Sequence, residues 1–251
     1  MSKKAIGIDI GGTGIKGAVV NLKDGSLIGE RVRHETPAGA KPVDIAKVVA
    51  KLISELPNAK SDMLVGICFP AIVRNGITMS AANVSKEWIG LDADALFTQE
   101  LKRPVHVIND ADAAGVAEIK FGAGQDVEGL VIMTTLGTGI GSALFMNGKL
   151  VPNAELGHLE IQGVDYESKA SFAAKEREEL SWADWAKRLQ IYYSTLERLF
   201  TPDLIIVGGG VSKQHEEFLP LLNLSTPIVA AHKRNNAGIL GAAALAKKAS
   251  K

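Results

Sequence analysis

Asp9-Ile10-Gly11-Gly12-Thr13-Gly14-Ile15-Lys16-Gly17 decides the reading of the fold, because its centre, Gly12-Thr13-Gly14-Ile15, returns half a chain later as Gly137-Thr138-Gly139-Ile140. The surroundings return with it. Apolar runs at 5–10 and 130–136 end at the two motifs, and apolar runs at 15–20 and 140–146 follow them. Each pair then meets a turn, Lys23-Asp24-Gly25-Ser26 or Asn147-Gly148-Lys149. Two half-length units are expected, each opening with a strand, a glycine turn and a second strand. Gly12-x-Gly14-x-x-Gly17 also matches the dinucleotide fingerprint in form. That fingerprint needs a helix directly after the glycines, whereas 15–21 reads as a strand running to a hairpin turn, so the Rossmann reading fails.

The other segments alternate. Ile45, Val48, Val49, Leu52, Ile53 and Leu56 have helical spacing, stopped by Pro57. Residues 63–68 and 105–108 read as buried strands, 110–121 as a helix with Asp110 at its start, and 180–200 as a long amphipathic helix. A short strand at 204–207 runs into Gly208-Gly209-Gly210, and an alanine-rich helix covers 236–248. The pattern is α/β, with mixed sheets because of the hairpins. No low-complexity linker separates the halves. The repeat places the boundary near 107–109, giving domains of 1–108 and 109–236, with the helix of 237–251 returning to the first.

Charge and cysteine use exclude several classes. Lys+Arg and Asp+Glu both number 28, so the net charge is zero, and a dedicated nucleic-acid binder would need a basic excess. A single cysteine, Cys68, allows no internal disulfide and no multi-cysteine zinc site. It suits a reducing, cytoplasmic compartment. Lys3 and Lys4 precede an apolar stretch that ends at Asp9, too short for a signal peptide. The runs at 64–73 and 239–246 are too short to span a bilayer, so no membrane partner is expected.

Four places could carry chemistry. A glycine turn between strands brings backbone N–H groups close to a phosphate; Thr13 adds a hydroxyl, Lys16 a charge, and Asp9 suits a Mg²⁺ shell through water. An ordinary tight hairpin explains one such loop as well, but two copies suit a polyanion gripped from both sides of a cleft. Asn109-Asp110 follows a buried strand, where a carboxylate could accept a proton from a sugar hydroxyl. Asp is also a favoured N-cap, and on position alone capping explains Asp110 better. Glu155-Leu156-Gly157-His158, with Glu160 and Glu167, offers donors and acceptors for a sugar, Gly157 letting the chain bend closely around it. Gly208-Gly209-Gly210 permits close approach by a ligand or another backbone.

Together these residues resemble the sugar kinases of the ROK (repressor, open reading frame, kinase) family, within the actin-like, ribonuclease H-like ATPase superfamily. Residues 9–16, Asn109-Asp110, 136–141, 155–158 and 208–212 occur in the family's order. The resemblance implies an actin-like fold of two similar domains flanking a central cleft. It implies Asp110 as catalytic base, and Asn83, Asn109, Asp110, Glu155, His158 and Glu167 around the sugar. The phosphoryl donor would lie on Gly11, Gly12, Thr13, Gly14, Lys16, Thr135, Gly137, Thr138, Gly139, Gly209 and Gly210, with Mg²⁺ at Asp9. Typical members carry a zinc-binding cysteine cluster after the Gly-His pair. This chain has none, yet keeps Glu167-Ser168-Lys169-Ala170-Ser171. A zinc-free version resembles the polyphosphate-dependent glucokinase branch, as do Gly157-His158-Leu159-Glu160, Leu180-Ser181-Trp182-x-x-Trp185-Ala186-Lys187 and Pro202-Asp203-Leu204.

The implied activity is transfer of a phosphoryl group from inorganic polyphosphate, with ATP as a second donor, to the 6-hydroxyl of glucose. A homodimer is the family expectation. A strictly ATP-dependent glucokinase or mannokinase is the nearest alternative, and a non-catalytic sugar-binding protein is the alternative of another class. The regulatory relatives place a helix-turn-helix ahead of a core that begins here at residue 5, so a repressor is not expected. Lys16, Lys169, Lys175, Arg177, Lys213, Lys233 and Arg234 recur near the donor motifs and form the expected track for a long polyanion.

Overall fold

A computed structural model of the chain describes residues 3–250, without the side chains of Arg234 and Ser250. The chain divides into two compact units. One runs to Ala117 and resumes at Asn236; the other is Glu118–Asn235.

In the first unit, β1 (Lys4–Ile10) and β2 (Ile15–Asn21) form the hairpin around the first glycine loop, and β3 (Val32–His34) extends it. Helix α1 (Pro42–Glu55) precedes β4 (Val65–Phe69), and a small hairpin of β5 (Val73–Arg74) and β6 (Ile77–Thr78) precedes α2 (Ala93–Leu101). Strand β7 (Val105–Asn109) then leads into α3 (Asp110–Phe121). The sheet order is β3-β2-β1-β4-β7; the first three strands are antiparallel neighbours, whereas β1, β4 and β7 run parallel. Alternation along β1 sends Ile6, Ile8 and Ile10 into a core shared with Ile45, Val49 and Leu52 of α1.

The second unit repeats that plan. Strands β8 (Leu130–Leu136), β9 (Ile140–Met146) and β10 (Lys149–Val151) are antiparallel neighbours. A hairpin of β11 (Glu160–Ile161) and β12 (Val164–Asp165) leads to α4 (Glu167–Ala170), α5 (Phe172–Arg177) and α6 (Trp182–Phe200). Strands β13 (Leu204–Gly208) and β14 (Ile228–Ala230) complete the order β10-β9-β8-β13-β14, again with a parallel half. Ser181 caps α6, its hydroxyl accepting the Asp184 N–H, and the helix buries Trp185, Leu189, Tyr192, Tyr193 and Leu196 against the sheet.

The last helix, α7 (Ala237–Leu245), packs in the first unit on the sheet face opposite α1. Glycines make the seat. A Cβ on Gly7 would lie 2.0 Å from the Ile239 carbonyl oxygen, and one on Gly66 would lie 1.9 Å from that of Ala242. No helix among the described residues is long and apolar enough to cross a membrane.

Candidate active site

In the first unit, the apolar β1 delivers Asp9 to the rim of the sheet and the chain turns back through Gly11–Gly14. The Gly11 N–H donates to the Gly14 carbonyl at 3.0 Å. The Thr36 hydroxyl holds the Gly11 carbonyl at 2.5 Å, and Arg33 Nη2 donates to the Thr13 carbonyl at 3.2 Å. Asn83 packs beside this loop, its Cβ 3.7 Å from where a Gly12 Cβ would stand. Thr13 is exposed at the tip.

Asp9 sits in a half-closed corner. Burial pushes its carboxyl above the ordinary range, against the pull of Lys16, whose Nζ is 3.9 Å from Oδ2, the Cys68 thiol and Arg31. The thiol donates to Asp9 Oδ1 at 3.4 Å. Burial pushes Cys68 itself up, helped first by Asp9 and then by Asp110, so both carboxylates share this corner. The capping that position suggests for Asp110 is performed chiefly by its neighbour. Asn109 Oδ1 accepts the N–H groups of Ala111 (2.8 Å) and Asp112 (3.0 Å), while Nδ2 donates to the Ala71 carbonyl (3.1 Å). Asn109 is thus the N-cap and Asp110 the first helical residue, with Oδ1 accepting the Ala111 N–H at 2.9 Å.

In the second unit, the corresponding turn is one residue shorter, with only Gly137, Thr138 and Gly139 between the paired Leu136 and Ile140. Ile140 organises what surrounds it. Its N–H donates to Glu167 Oε2 at 2.7 Å, and its carbonyl oxygen occupies the space of a Gly157 Cβ, which would stand 1.9 Å away. Gly157 therefore admits a neighbouring backbone, where the sequence suggested room for a ligand. The result still gathers the expected set, because Glu155, His158 and Glu167 act on one another electrostatically. Burial pushes the Glu155 carboxyl up; His158 opposes that shift and Glu167 adds to it. Gly209, at φ +84°, brings the third glycine run against Leu136, whose carbonyl oxygen would be 2.2 Å from a Cβ there. Thr135 pairs with Gly208 across the same sheet.

Some participants escaped the sequence reading. Asp165 Oδ2 lies 2.8 Å from His158 Nδ1, and its Oδ1 accepts the Glu167 N–H at 3.2 Å. The Asp165 hydrogen bond raises the imidazole above its usual value near 6.5. Below 6.5 the stabilisation of protonated His158 is fully present, and it is lost as pH rises through the higher folded value. NMR titration should therefore place the His158 midpoint above 6.5, and Asp165→Asn should lower it; an unmoved midpoint would show that Asp165 does not set it. Arg33, Thr36 and Cys68 were also missed. Only the register of β2 with β3, and of β1 with β4, brings them to the first loop and to Asp9.

Of the expected polyanion track, Lys16 adjoins the first loop. Lys175 lies 4.3 Å from the centre of the Trp182 ring, and Arg177 holds the Ser168 carbonyl at 2.9 Å and Glu178 at 3.0 Å. Arg188 and Arg177 together pull Glu178 down to about 2. The Arg234 side chain lies outside the described residues. No group of three or more His, Cys, Asp or Glu side chains among the described residues has a metal-holding arrangement.

The family model described as ROK family matches residues 5–174, more than half of the chain. The chain belongs to the ROK family. Its fold is accordingly the actin-like ATPase fold of the ROK sugar kinases, and the paired five-stranded sheets are its two repeats. Among ROK relatives, the polyphosphate glucokinase of Mycobacterium tuberculosis is 43% identical over 242 residues, covering 96% of this chain and 90% of its own. The structure of an inorganic polyphosphate/ATP-glucomannokinase from Arthrobacter sp. strain KM is 54% identical, with a TM-score of 0.90 and 99% of each chain covered. That of a ROK family glucokinase from Streptomyces griseus, in complex with glucose and AMPPNP, is 26% identical with a TM-score of 0.81, covering 98% of this chain and 99% of its own.

Proposed function

We propose that this ROK protein transfers a phosphoryl group from inorganic polyphosphate, and secondarily from ATP, to the 6-hydroxyl of glucose. The observation that carries the reading is the 54% identity, over 99% of both chains, to a polyphosphate/ATP-glucomannokinase. Asp110 takes the hydroxyl proton as the sugar oxygen attacks phosphorus and the bond to the leaving phosphate breaks. Asn109, by capping α3, fixes where that carboxylate stands. Asn83, Glu155, His158 and Glu167 are the residues assigned to the sugar's hydrogen bonds. The Gly-Thr-Gly loops, Thr135, Gly209 and Gly210 present backbone and hydroxyl donors to the phosphates.

Mg²⁺ fits the first unit: Asp9 and Asp110 bring hard oxygen donors to one corner, where the half-buried Asp9 carboxyl has a raised pKa. When bound there through water, the ion would neutralise charge on the donor phosphates. No zinc enters the proposal. The protein is expected to work in the cytoplasm as a homodimer.

The test is glucose 6-phosphate formation with polyphosphate or ATP as sole donor, at low and high salt. Polyphosphate should have the higher kcat/KM, and its lead should shrink as salt rises, because a chain without a base is held by charge alone. A clear ATP preference, or equal salt sensitivity, would leave an ATP-dependent glucokinase. The Arthrobacter relative is a glucomannokinase, which makes mannose the second acceptor to assay.

A further inference from the structure

The two Gly-Thr-Gly loops share a sequence but are covered by opposite charges. Gly14 lies outside the left-handed region, so its backbone does not demand glycine. A Cβ there would instead stand 2.8–3.0 Å from three atoms of the Arg33 guanidinium. At the matching Gly139, a Cβ would stand 2.4–3.0 Å from the carboxylate of Glu167. Each glycine makes room for a charged side chain: a cation over the first loop and an anion over the second.

The cation over the first loop is not isolated. Lys16 pairs with Asp9 across β1 and β2 and with Arg33 across β2 and β3, so the three side chains line one sheet face. Arg31 adds its charge at Asp9 and donates to Asn236 Oδ1 at 3.1 Å. Three cations thus stand at one exposed loop, beside the corner that holds Asp9 and Asp110, in a chain of zero net charge. A guanidinium offers a planar fork of N–H donors suited to the oxygens of neighbouring phosphates.

We propose that Arg33, flanked by Lys16 and Arg31, forms the subsite that grips the inorganic polyphosphate chain beside the phosphoryl group being transferred. This rests on the polyphosphate reading above and assigns the gripping to the first loop. ATP depends less on the subsite, since its base supplies contacts that do not involve charge.

Arg33→Gln is the informative variant. It keeps a side-chain N–H donor and most of the volume, though short of the Nη2 that holds the Thr13 carbonyl, and removes the charge. Direct binding of inorganic polyphosphate should weaken by more than about tenfold at low salt, with a shallower salt dependence. Binding of glucose and of ATP should stay within about twofold, and Arg33→Lys should recover part of the loss through its charge alone. Unchanged polyphosphate binding in Arg33→Gln would overturn the proposal. So would an equal loss of polyphosphate and ATP binding, which would make Arg33 only a prop for the loop. Turnover by the unaltered protein separates the two readings: Arg33-dependent polyphosphate binding without polyphosphate-driven turnover would sink the donor assignment and leave the subsite standing.

Discussion

Asp110→Asn is expected to lower kcat by about 10²–10⁴-fold while leaving glucose binding nearly unchanged. The amide has the shape of the carboxylate but cannot accept the hydroxyl proton as the oxygen attacks phosphorus. The helix start should survive the change, because Asn109 accepts the Ala111 and Asp112 N–H groups and is itself held by the Ala71 carbonyl. Calorimetry of glucose binding beside steady-state kinetics separates the two effects. More than about a tenth of the original kcat would remove Asp110 as the base.

Gly66→Ala should be among the most damaging single methyls in the first unit. The new Cβ would stand 1.9 Å from the Ala242 carbonyl oxygen and 2.5 Å from its carbon, and neither belongs to a side chain that could swing away. Relief requires α7 to lift from the sheet, uncovering Ile239, Ala242 and Ala243, all fully buried. Overpacking of this kind costs about 3 kcal/mol or more, which corresponds to a fall in Tm of roughly 6–12 °C. Gly137→Ala is the control: a Cβ there meets nothing within 4 Å. A Gly66→Ala protein melting with the control would mean that the seat of α7 is softer than its contacts imply.

Much of this architecture was legible because it is local. The hairpin turns after each motif announced antiparallel strands, which excluded a Rossmann unit, and the buried run before Asn109-Asp110 placed both residues at a strand end and a helix start. What could not be read depends on register between distant strands. Arg33 reaches the first loop only because Lys16 pairs with it across β2 and β3. Glu167 was expected beside the sugar; its bond to the Ile140 N–H arises where α4 meets the turn into β9. Gly157 was expected to let the chain bend around a ligand, but what its missing Cβ admits is the Ile140 carbonyl. Asp165 had no motif to mark it, and its contact with His158 depends on the short β11–β12 hairpin.

The seat of α7 also bears on the order in which the protein can be made. The first unit is assembled from both ends of its sequence, whereas Glu118–Asn235 is one unbroken segment. A ribosome delivers β1, β4 and α3 early, yet the helix that fills the space above Gly7 and Gly66 is translated after the whole second unit. The second unit can therefore reach its final form on the nascent chain while the first waits with one sheet face bare. Until α7 emerges, that face is apolar surface open to chaperones or to neighbouring nascent chains, and the corner holding Asp9 lacks the Gly238 backbone that packs against it.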